Sequence, residues 1–371
     1  MAQKSDSPQI KHSVKAASSK QKSAPAKKTG HVNLRALAAH LELSQTTVSL
    51  VLNDSPAAKS IPRETQQRVM DAARELQYRP NYFARSLRKR RSMSVGVIAP
   101  DLSEGYFTLV MSGVEQHLVR SHYFYFTASH YWHKDLIAEY PRLLLERAVD
   151  GFLLLNTPVE FEQSPVPVVA ISAHRKIAGV TNIVLDHNRA AMLALSHLYD
   201  FGHRRIAFMR GPEFIVDSDF RWKGILEVAQ QLGLRVQPEL TTRLSMSSWS
   251  PELGYLPMKE LLTRTRDFTA LFCFNDIAAI GAIRAIQDAG LRVPEDVSVI
   301  GFDDIISAAY YRPSLTTVRQ PLREMGTAGA ELLLERIAHP ERPYPSEIVM
   351  QPDLIVREST GPAPVSVKRT K

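Results

Sequence analysis

The chain has 371 residues, 44% of them hydrophobic, which is enough to fill more than one hydrophobic core. Its net charge of +8 is unevenly distributed, because residues 1–94 carry 18 Lys and Arg against 6 Asp and Glu. The resulting positive field favours a polyanionic partner; the alternative is a solvated basic tail. The single cysteine, Cys273, excludes an intrachain disulfide, and the lack of a signal peptide or a segment of transmembrane length predicts a cytoplasmic protein.

The chain begins with a basic tail. Residues 1–30 are mainly Lys, Ser, Ala and Gln and lack the apolar side chains that a folded core requires. We therefore predict that this tail is disordered and adds only loose contacts to phosphates.

Two short helices joined by a tight turn are predicted next. Asn33 is a suitable N-cap for the first helix. The apolar residues of that helix fall at i, i+3, i+4 and i+7, at Leu34, Leu37, Ala38 and Leu41. Ser44 is a suitable N-cap for the second helix. The inward stripe of the second helix is Val48, Val51 and Leu52, and its outward residues are Gln45, Thr46, Ser49 and Leu50. This arrangement matches the helix-turn-helix geometry, in which the second helix enters the major groove of DNA.

A third helix completes this unit. Pro62 suits its first turn, and its inward stripe is Val69, Ala72, Ala73 and Leu76. A three-helix unit can instead bind another protein, and Ser or Thr near a helix start is often only a cap. The positive charge of this region and the segment that follows it favour DNA.

A short basic helix is predicted in residues 81–91, NYFARSLRKRR. Asn81 can cap it, and Ala84 and Leu87 lie at i and i+3 on one side, among arginines and a lysine. Such a helix suits a minor-groove element, in which an apolar side chain enters a base step and the basic residues hold phosphates. The alternative is a plain basic linker.

These segments together resemble the lactose-repressor (LacI/GalR) family of bacterial transcription regulators. The matching motifs are LRALAAHLELSQTTVSLVLN, ETQQRVMDAARELQYRPN, ARSL and VGVIAPD, and the resemblance extends to about residue 358. The base-reading positions that it implies are Gln45, Thr46 and Leu50. The implied positions near phosphates are Ser44, Thr47, Ser49 and Asn53. The implied minor-groove positions are Tyr82, Ala84 and Leu87, with Leu87 as the wedge.

Two features depart from the family pattern. Many members have arginine in place of Leu50, and arginine is the usual bidentate reader of guanine, whereas leucine offers only apolar contact, for example with a thymine methyl. The operator should therefore differ at that step. The AAKS stretch is also longer than the usual family loop, and we expect its Lys59 to meet a phosphate.

From residue 94 onward, short apolar strands alternate with helical stretches. The predicted strands are VGVIAP, FYFTAS, GFLLLN, VPVVAIS, RIAFMRG, ALFCFND and VSVIGFDD. This alternation predicts a parallel sheet with helices on both faces. The helix from Ala190 to Tyr199, followed by FGHRRIAFMRG, marks the start of a second sheet and hence a second lobe.

The predicted fold class is a small all-α helix-turn-helix DNA-binding domain plus an α/β two-lobed effector domain that is similar to periplasmic binding proteins. The predicted segments are a tail at 1–30, the DNA-binding domain at 31–80, a hinge at 81–93, the effector and dimerisation domain at 94–360, and a flexible tail at 361–371. The C-terminal tail lacks heptads, which favours a dimer over a zipper-made tetramer.

Strand ends indicate the ligand site, because ligands bind at the carboxyl ends of parallel strands. Asn275 and Asp276 close one strand, and Asp303 and Asp304 close another, so all four offer acceptors to ligand hydroxyls. The alternative for Asp276 and Asp304 is a helix cap. Arg221 is expected to open a helix beside the cleft, where its fork suits a hydroxyl pair or a carboxylate.

The resemblance adds further ligand contacts. The full set that it implies is Tyr106, Phe107, Ser172, Arg221, Trp249, Asn275 and Asp303. Trp249 can stack on the apolar face of a sugar ring, with a place in the core as the alternative. Ser172 stands where sugar-sensing relatives often have an acidic residue, so the pattern does not by itself imply a simple neutral sugar.

Other constellations point away from metal binding and catalysis. His130 and His133 lack a third ligand at matching spacing, and a surface loop is the favoured interpretation. His197 and His203 flank a predicted helix end, where a cap and packing pair is favoured. With no phosphate-cradling loop and no nucleophile paired with a base, we predict no catalytic residue, no metal site and no cofactor.

The predicted function is sequence-specific transcriptional regulation, most simply repression. The predicted partners are double-stranded DNA with a near-palindromic operator, a second copy of the chain, and a small effector such as a sugar or sugar derivative between the lobes. The alternatives are a solute-binding protein for transport or sensing and a sugar-acting enzyme. The basic front domain opposes the first, and the lack of a catalytic set opposes the second.

Overall fold

The computed structural model describes residues 32–78, 91–103, 105–158, 164–173, 177–245 and 250–365. The chain divides into two compact units, Met1–Arg85 and Ser86–Lys371. The predictions for the tail at 1–30, for the hinge helix at 81–90 and for residues 366–371 lie outside the described residues. In the part of the chain that is described, no helix has the length and apolar character needed to cross a membrane.

The first unit contains the three predicted helices. They are α1 (Leu34–His40), α2 (Gln45–Leu52) and α3 (Arg63–Glu75), with a 3₁₀ helix at Pro56–Ser60. The side chain of Asn33 caps α1 by accepting the amide of Ala36 at 2.9 Å, which satisfies one of the free amides at the helix start. Leu37, Val48 and Val69, one from each helix, are fully buried against one another in the core of this unit.

The second unit contains two six-stranded sheets. The strands in chain order are β1 (Ser94–Ala99), β2 (Phe124–Ser129), β3 (Phe152–Leu155), β4 (Val168–Ile171), β5 (Val180–Leu185), β6 (Ile206–Arg210), β7 (Thr241–Arg243), β8 (Ala270–Cys273), β9 (Ser298–Asp303), β10 (Thr316–Arg319), β11 (Glu347–Met350) and β12 (Asp353–Ile355). The order in lobe 1 is β11-β5-β4-β3-β1-β2, and that in lobe 2 is β12-β10-β9-β8-β6-β7. All pairs are parallel except β10 with β12. The predicted strands are confirmed, and β5, β7, β10, β11 and β12 are additional.

Helices cover the faces of both sheets. They are α4 (Gly105–Arg120), α5 (Lys134–Glu146), α6 (His187–Asp200), α7 (Val216–Gln231), α8 (Glu252–Arg264), α9 (Asp276–Asp288) and α10 (Leu322–Ala338), with 3₁₀ turns at Pro238–Leu240 and Ile306–Ala309. In lobe 1, α4 and α10 approach so closely that a Cβ on Gly113 would lie 2.0 Å from the carbonyl oxygen of Arg323. Glycine is therefore required at that contact.

The chain crosses between the lobes three times. It passes from lobe 1 to lobe 2 between β5 and α6, returns between β10 and α10, and crosses again between β11 and β12. Because β5 and β11 are neighbours at one edge of the first sheet, and β10 and β12 at one edge of the second, all three crossings lie on one side. The strands β2 and β7 form the opposite edges.

Two predicted boundaries need correction. Residues 91–93, predicted as linker, are fixed to lobe 1 because the carboxylate of Asp150 accepts the amides of Ser92 and Met93, each at 2.8 Å. Gly361, predicted to start a flexible tail, is held to lobe 2: its carbonyl accepts from His203 at 3.0 Å and its amide donates to the hydroxyl of Ser298 at 3.0 Å.

Candidate nucleic-acid interface and ligand cleft

The start of α2 is presented to solvent in a fixed geometry. The hydroxyl of Ser44 accepts the amide of Thr47 at 3.0 Å and lies 2.9 Å from the Thr47 hydroxyl, which caps the helix. Gln45 and Thr46 are exposed beside this cap, and Leu50 is half-buried one turn later. These side chains therefore sit on the part of α2 that a helix-turn-helix inserts into the major groove.

The expectation that Ser49 faces outward is wrong. Its side chain is only 9% exposed, and Asn53 covers it by donating Nδ2 to the Ser49 carbonyl at 2.7 Å and to its hydroxyl at 3.3 Å. Asn53 itself remains exposed. The small polar side chain of Ser49 is thus buried beside the apolar stripe of α2.

The AAKS stretch forms part of the 3₁₀ helix rather than an irregular loop. Ala58 is buried in it, and the side-chain amide of Gln66 on α3 donates to the carbonyls of Ala58 and Ile61 at 3.0 and 2.8 Å. These bonds fix the segment and leave Lys59 exposed. The minor-groove positions Tyr82, Ala84 and Leu87 lie outside the described residues.

A narrow cleft lies between the lobes. Its lining residues are Tyr106, Phe107, Asn156, Ile215, Asp217, Arg221, Phe274, Asn275 and Asp303. The structure thus brings together most of the predicted effector residues, while Trp249 lies outside the described part of the chain. Ser172 lies behind the lining, where its hydroxyl accepts a hydrogen bond from Tyr106 at 2.9 Å.

Arg221 is held by the protein on most sides. It lies in the second turn of α7, which begins at Val216, and not at the helix start as predicted. One terminal nitrogen donates to Asp217 at 2.6 Å and the other to the carbonyl of Phe274. Both terminal nitrogens of the predicted fork are therefore engaged by the protein, and Nε of Arg221 is buried without an acceptor among the described residues.

The charge of Arg221 is balanced inside the cleft wall. Asp217 accepts from Arg221 through one oxygen and lies 3.0 Å from Nε2 of His187 through the other. The guanidinium also lies 3.6 Å from the ring centroid of Phe302 and 4.5 Å from that of Phe274. Because the three polar side chains are at least nine-tenths buried, this network is shielded from solvent.

Asp303 provides a titratable group in the cleft. Its carboxylate accepts from the side-chain amide of Gln320 at 2.6 Å, and it is 6% exposed. Burial raises the pKa of Asp303 to about 7, against the opposing effects of the Arg221 charge and the Gln320 bond. Its backbone has φ = 119°, and Ser172 has φ = 56°, so two site residues occupy left-handed backbone that favours glycine.

The neighbouring carboxylates serve the fold. Asp276 is fully buried and accepts from the Thr317 hydroxyl at 2.6 Å and the amide of Ile305 at 2.9 Å. Asp304 pairs with Arg319 at 2.8 Å and Arg357 at 2.7 Å. A helix cap was the alternative interpretation for Asp276 and Asp304, but neither residue caps a helix. Neither of them lines the cleft.

Sequence reasoning missed four lining residues. They are Asn156, Ile215, Asp217 and Phe274. Asn156 follows β3 directly, so the strand-end rule that found Asn275 could also have found it. Asp217 stands four residues before Arg221, a spacing that places an acid and a base on one helix face.

His133 is exposed as expected for a surface loop, whereas three other histidines make contacts that were not predicted. His130 is fully buried and not in a surface loop: its Nε2 lies 3.1 Å from the Thr157 hydroxyl, and its Nδ1 accepts the amide of Trp132 at 3.0 Å. Burial, and after it the His133 charge, lowers the pKa of His130 to about 4.

His197 and His203 contact the C-terminal segment. The Nε2 atom of His197 reaches the hydroxyl of Thr360, and the Nε2 atom of His203 reaches the carbonyl of Gly361, so both histidines hold this segment and do not cap a helix. The described residues contain no cluster of metal-ligating side chains.

Two protein-family models match the chain. Residues 36–81 match the model described as "Bacterial regulatory proteins, lacI family". Residues 195–360 match the model described as "Periplasmic binding protein-like domain". The first match covers the exposed helix α2, and the second covers most of lobe 2.

Curated relatives match nearly the whole chain. The HTH-type transcriptional repressor PurR of Haemophilus influenzae is 32% identical over 329 residues, which cover 85% of this chain and 95% of that protein. The protein of the same name from Escherichia fergusonii is 31% identical over 340 residues, with 89% and 97% covered.

Solved structures share the fold. A lac repressor dimer bound to operator and the anti-inducer ONPF superposes with a TM-score of 0.79 at 24% identity, covering 90% of this chain and 100% of that one. A complex of the transcriptional regulator CelR with cellobiose has a TM-score of 0.65 at 29% identity, covering 88% and 99%.

Proposed function

The chain belongs to the LacI family of bacterial regulatory proteins, and from that premise we propose how its two units act. It is a DNA-binding transcriptional regulator under the control of a small molecule, and it is not an enzyme. We propose that it represses its target genes as a homodimer at DNA in the cytoplasm. Each copy reads one half-site of a near-palindromic operator.

The observation that carries the DNA role is the presentation of α2. Ser44 caps the helix, Gln45 and Thr46 are exposed at its start, and Leu50 offers an apolar contact. We assign base reading to these three outward side chains. Ser44, Thr47, Asn53 and Lys59 are proposed to approach phosphates, and the minor-groove role of Tyr82, Ala84 and Leu87 is proposed from the sequence alone.

The effector is proposed to be a sugar or sugar derivative without an acidic group. Asn156, Asn275 and Asp303 supply hydrogen-bonding groups, and Phe107 and Phe274 supply an apolar wall of the kind that packs on a sugar ring. Asp217 already neutralises the charge of Arg221, so an anionic ligand would meet no free cation among the residues that line the cleft and would face Asp303. A polyhydroxylated neutral molecule fits this set best.

Two experiments test this function. Selection of DNA fragments from a random pool by the full-length protein should return a near-palindromic consensus; recovery of fragments without a shared sequence would contradict the DNA role. A thermal-shift screen of mono- and disaccharides beside sugar acids should favour the neutral compounds. A ligand at a hundred times its Kd adds about 2.7 kcal/mol to the free energy of unfolding, so a genuine effector is readily detected.

A further inference from the structure

Trp132 joins the two lobes away from the chain crossings. It follows β2 in lobe 1, yet its indole packs against the buried core of lobe 2. Its ring centroid lies 5.0 Å from that of Phe214 at an interplanar angle of 64°, an edge-to-face pair. Phe214 directly precedes Ile215, which lines the ligand cleft.

This contact lies at the mouth of the cleft. The three crossings between the lobes are next to β5, β10, β11 and β12, at one edge of each sheet. Trp132 follows β2 at the far edge of the first sheet, and Phe214 follows β6, the neighbour of the far edge strand β7 in the second. A contact there must separate when the lobes rotate apart about the crossings.

Lobe 1 holds Trp132 in position before any contact with lobe 2. Tyr131 and Trp132 have φ of 47° and 63°, a left-handed pair that costs free energy in residues other than glycine. His130 maintains the turn, because its Nδ1 accepts the Trp132 amide at 3.0 Å. The Thr157 hydroxyl donates its one proton to the carbonyl of Leu155 at 2.8 Å. It therefore accepts a hydrogen bond from Nε2 of His130, which fixes the imidazole tautomer.

We propose that Trp132 and Phe214 form a latch that holds the lobes closed over the effector cleft. Trp132 is then an affinity-determining residue that acts from outside the cleft lining, a role that rests on the proposed effector binding. An edge-to-face aromatic pair changes an equilibrium by a factor of about 2 to 10, and effector affinity scales with the closed fraction.

Closure can be measured without knowing the effector. The first amides of α4 lack acceptors within their own helix, so their protection from exchange depends on what covers them. Gly105 begins α4 and meets lobe 2, because an added Cβ there would lie 2.7 Å from Cγ2 of Ile305. Exchange at residues 105–108 of the full-length protein therefore reports opening, and exchange in β2 reports any damage confined to lobe 1.

The test compares hydrogen exchange in Trp132→Ala, Phe214→Ala, Trp132→Phe and the wild type, with Tyr131→Ala as the matched control. Tyr131 shares the turn and is 59% exposed. We expect exchange at residues 105–108 to rise about two- to tenfold in both alanine variants of the latch, and to stay near the wild-type rate in Trp132→Phe and Tyr131→Ala. Exchange in β2 should not change.

Wild-type rates at residues 105–108 in both alanine variants would overturn the latch. An equal rise in Tyr131→Ala would overturn it as well, because the effect would then belong to the turn. Should Trp132→Ala disturb lobe 1, Phe214→Ala carries the test, since Phe214 is 46% exposed and its loss leaves little cavity. These outcomes concern closure alone, and the DNA selection tests the regulator role separately.

Discussion

Arg221 donates to Asp217 at 2.6 Å across one turn of α7, and both side chains are at most 9% exposed in the wall of the ligand cleft. The pair places a balanced charge beside the ligand in place of a free cation. His187 extends it on the far side of the carboxylate. This part of the cleft wall is therefore close to neutral.

Removal of Asp217 should lower the free energy of unfolding, because it leaves the buried charge of Arg221 without its partner. Asp217→Ala leaves the Arg221 charge uncompensated and should lower the free energy of unfolding by about 3 to 5 kcal/mol. Asp219→Ala on the same helix is the control, because its side chain is 64% exposed and lies 3.9 Å from Arg210, so a change within about 0.5 kcal/mol is expected. Urea denaturation measures both; equal effects would contradict the buried pair.

Asp303 should make stability depend on pH. Burial raises its pKa to about 7 in the folded chain, against about 3.9 when unfolded, so the folded state binds the proton more tightly. The resulting stabilisation is complete below about pH 4 and is lost as the pH rises through about 7. Asp303→Asn should flatten the decline in unfolding free energy between about pH 5 and pH 8 by on the order of 2 kcal/mol. The exposed Asp353→Asn should leave the decline unchanged, and a wild-type slope in Asp303→Asn would refute the assignment.

The attachment of residues 91–93 to lobe 1 should depend on Asp150. Asp150→Ala removes the acceptor for the amides of Ser92 and Met93 and should speed trypsin cleavage after Arg91 severalfold. The Asp101 carboxylate accepts only from Ser103 in its own turn among the bonds described, so Asp101→Ala is the control. Mass spectrometry of timed digests identifies the cut, and equal rates in the two variants would exclude the clamp.

Leu50 should set one base of the operator. Leu50→Arg replaces an apolar contact with a bidentate donor and should shift the selected consensus toward guanine at one step of each half-site, with about 1 to 3 kcal/mol of discrimination. Gln67→Arg adds the same charge on the exposed face of α3 and should leave the consensus unchanged. Selection from a random DNA pool makes the comparison; an unaltered consensus in Leu50→Arg would show that this side chain does not face the bases.

The sequence predicted those parts of the fold whose signal is local. Strands such as β3 and β8 are continuous apolar runs buried along their length, so they stand out from their surroundings. The edge strands β11 and β12 are short and partly exposed, and β5 contains Thr181 and Asn182, which blur its apolar pattern. The return of α10 to lobe 1 depends on long-range packing with α4, which no local pattern reports.

For the two candidate sites as well, the sequence predicts positions that follow from local patterns but not those that depend on long-range packing. The strand-end rule and the family resemblance found Asn275 and Asp303, because their positions follow from chain topology. The i,i+4 spacing of Asp217 and Arg221 indicates their pairing, whereas the burial of Ser49 under Asn53 depends on side-chain packing that the helical pattern does not report. The burial of His130 involves a contact with Thr157, 27 residues away in sequence, which no local pattern reports.

The most direct test of the regulator role is a competitive gel shift with the full-length protein and the DNA upstream of its own gene. Wild type should form a complex that resists unrelated competitor DNA and weakens steeply between about 50 mM and about 200 mM salt. Gln45→Ala combined with Thr46→Ala should lose the selective complex while keeping the salt-sensitive, non-selective one, because both side chains lie exposed at the start of α2. A selective complex that persists in the double variant would contradict base reading by α2.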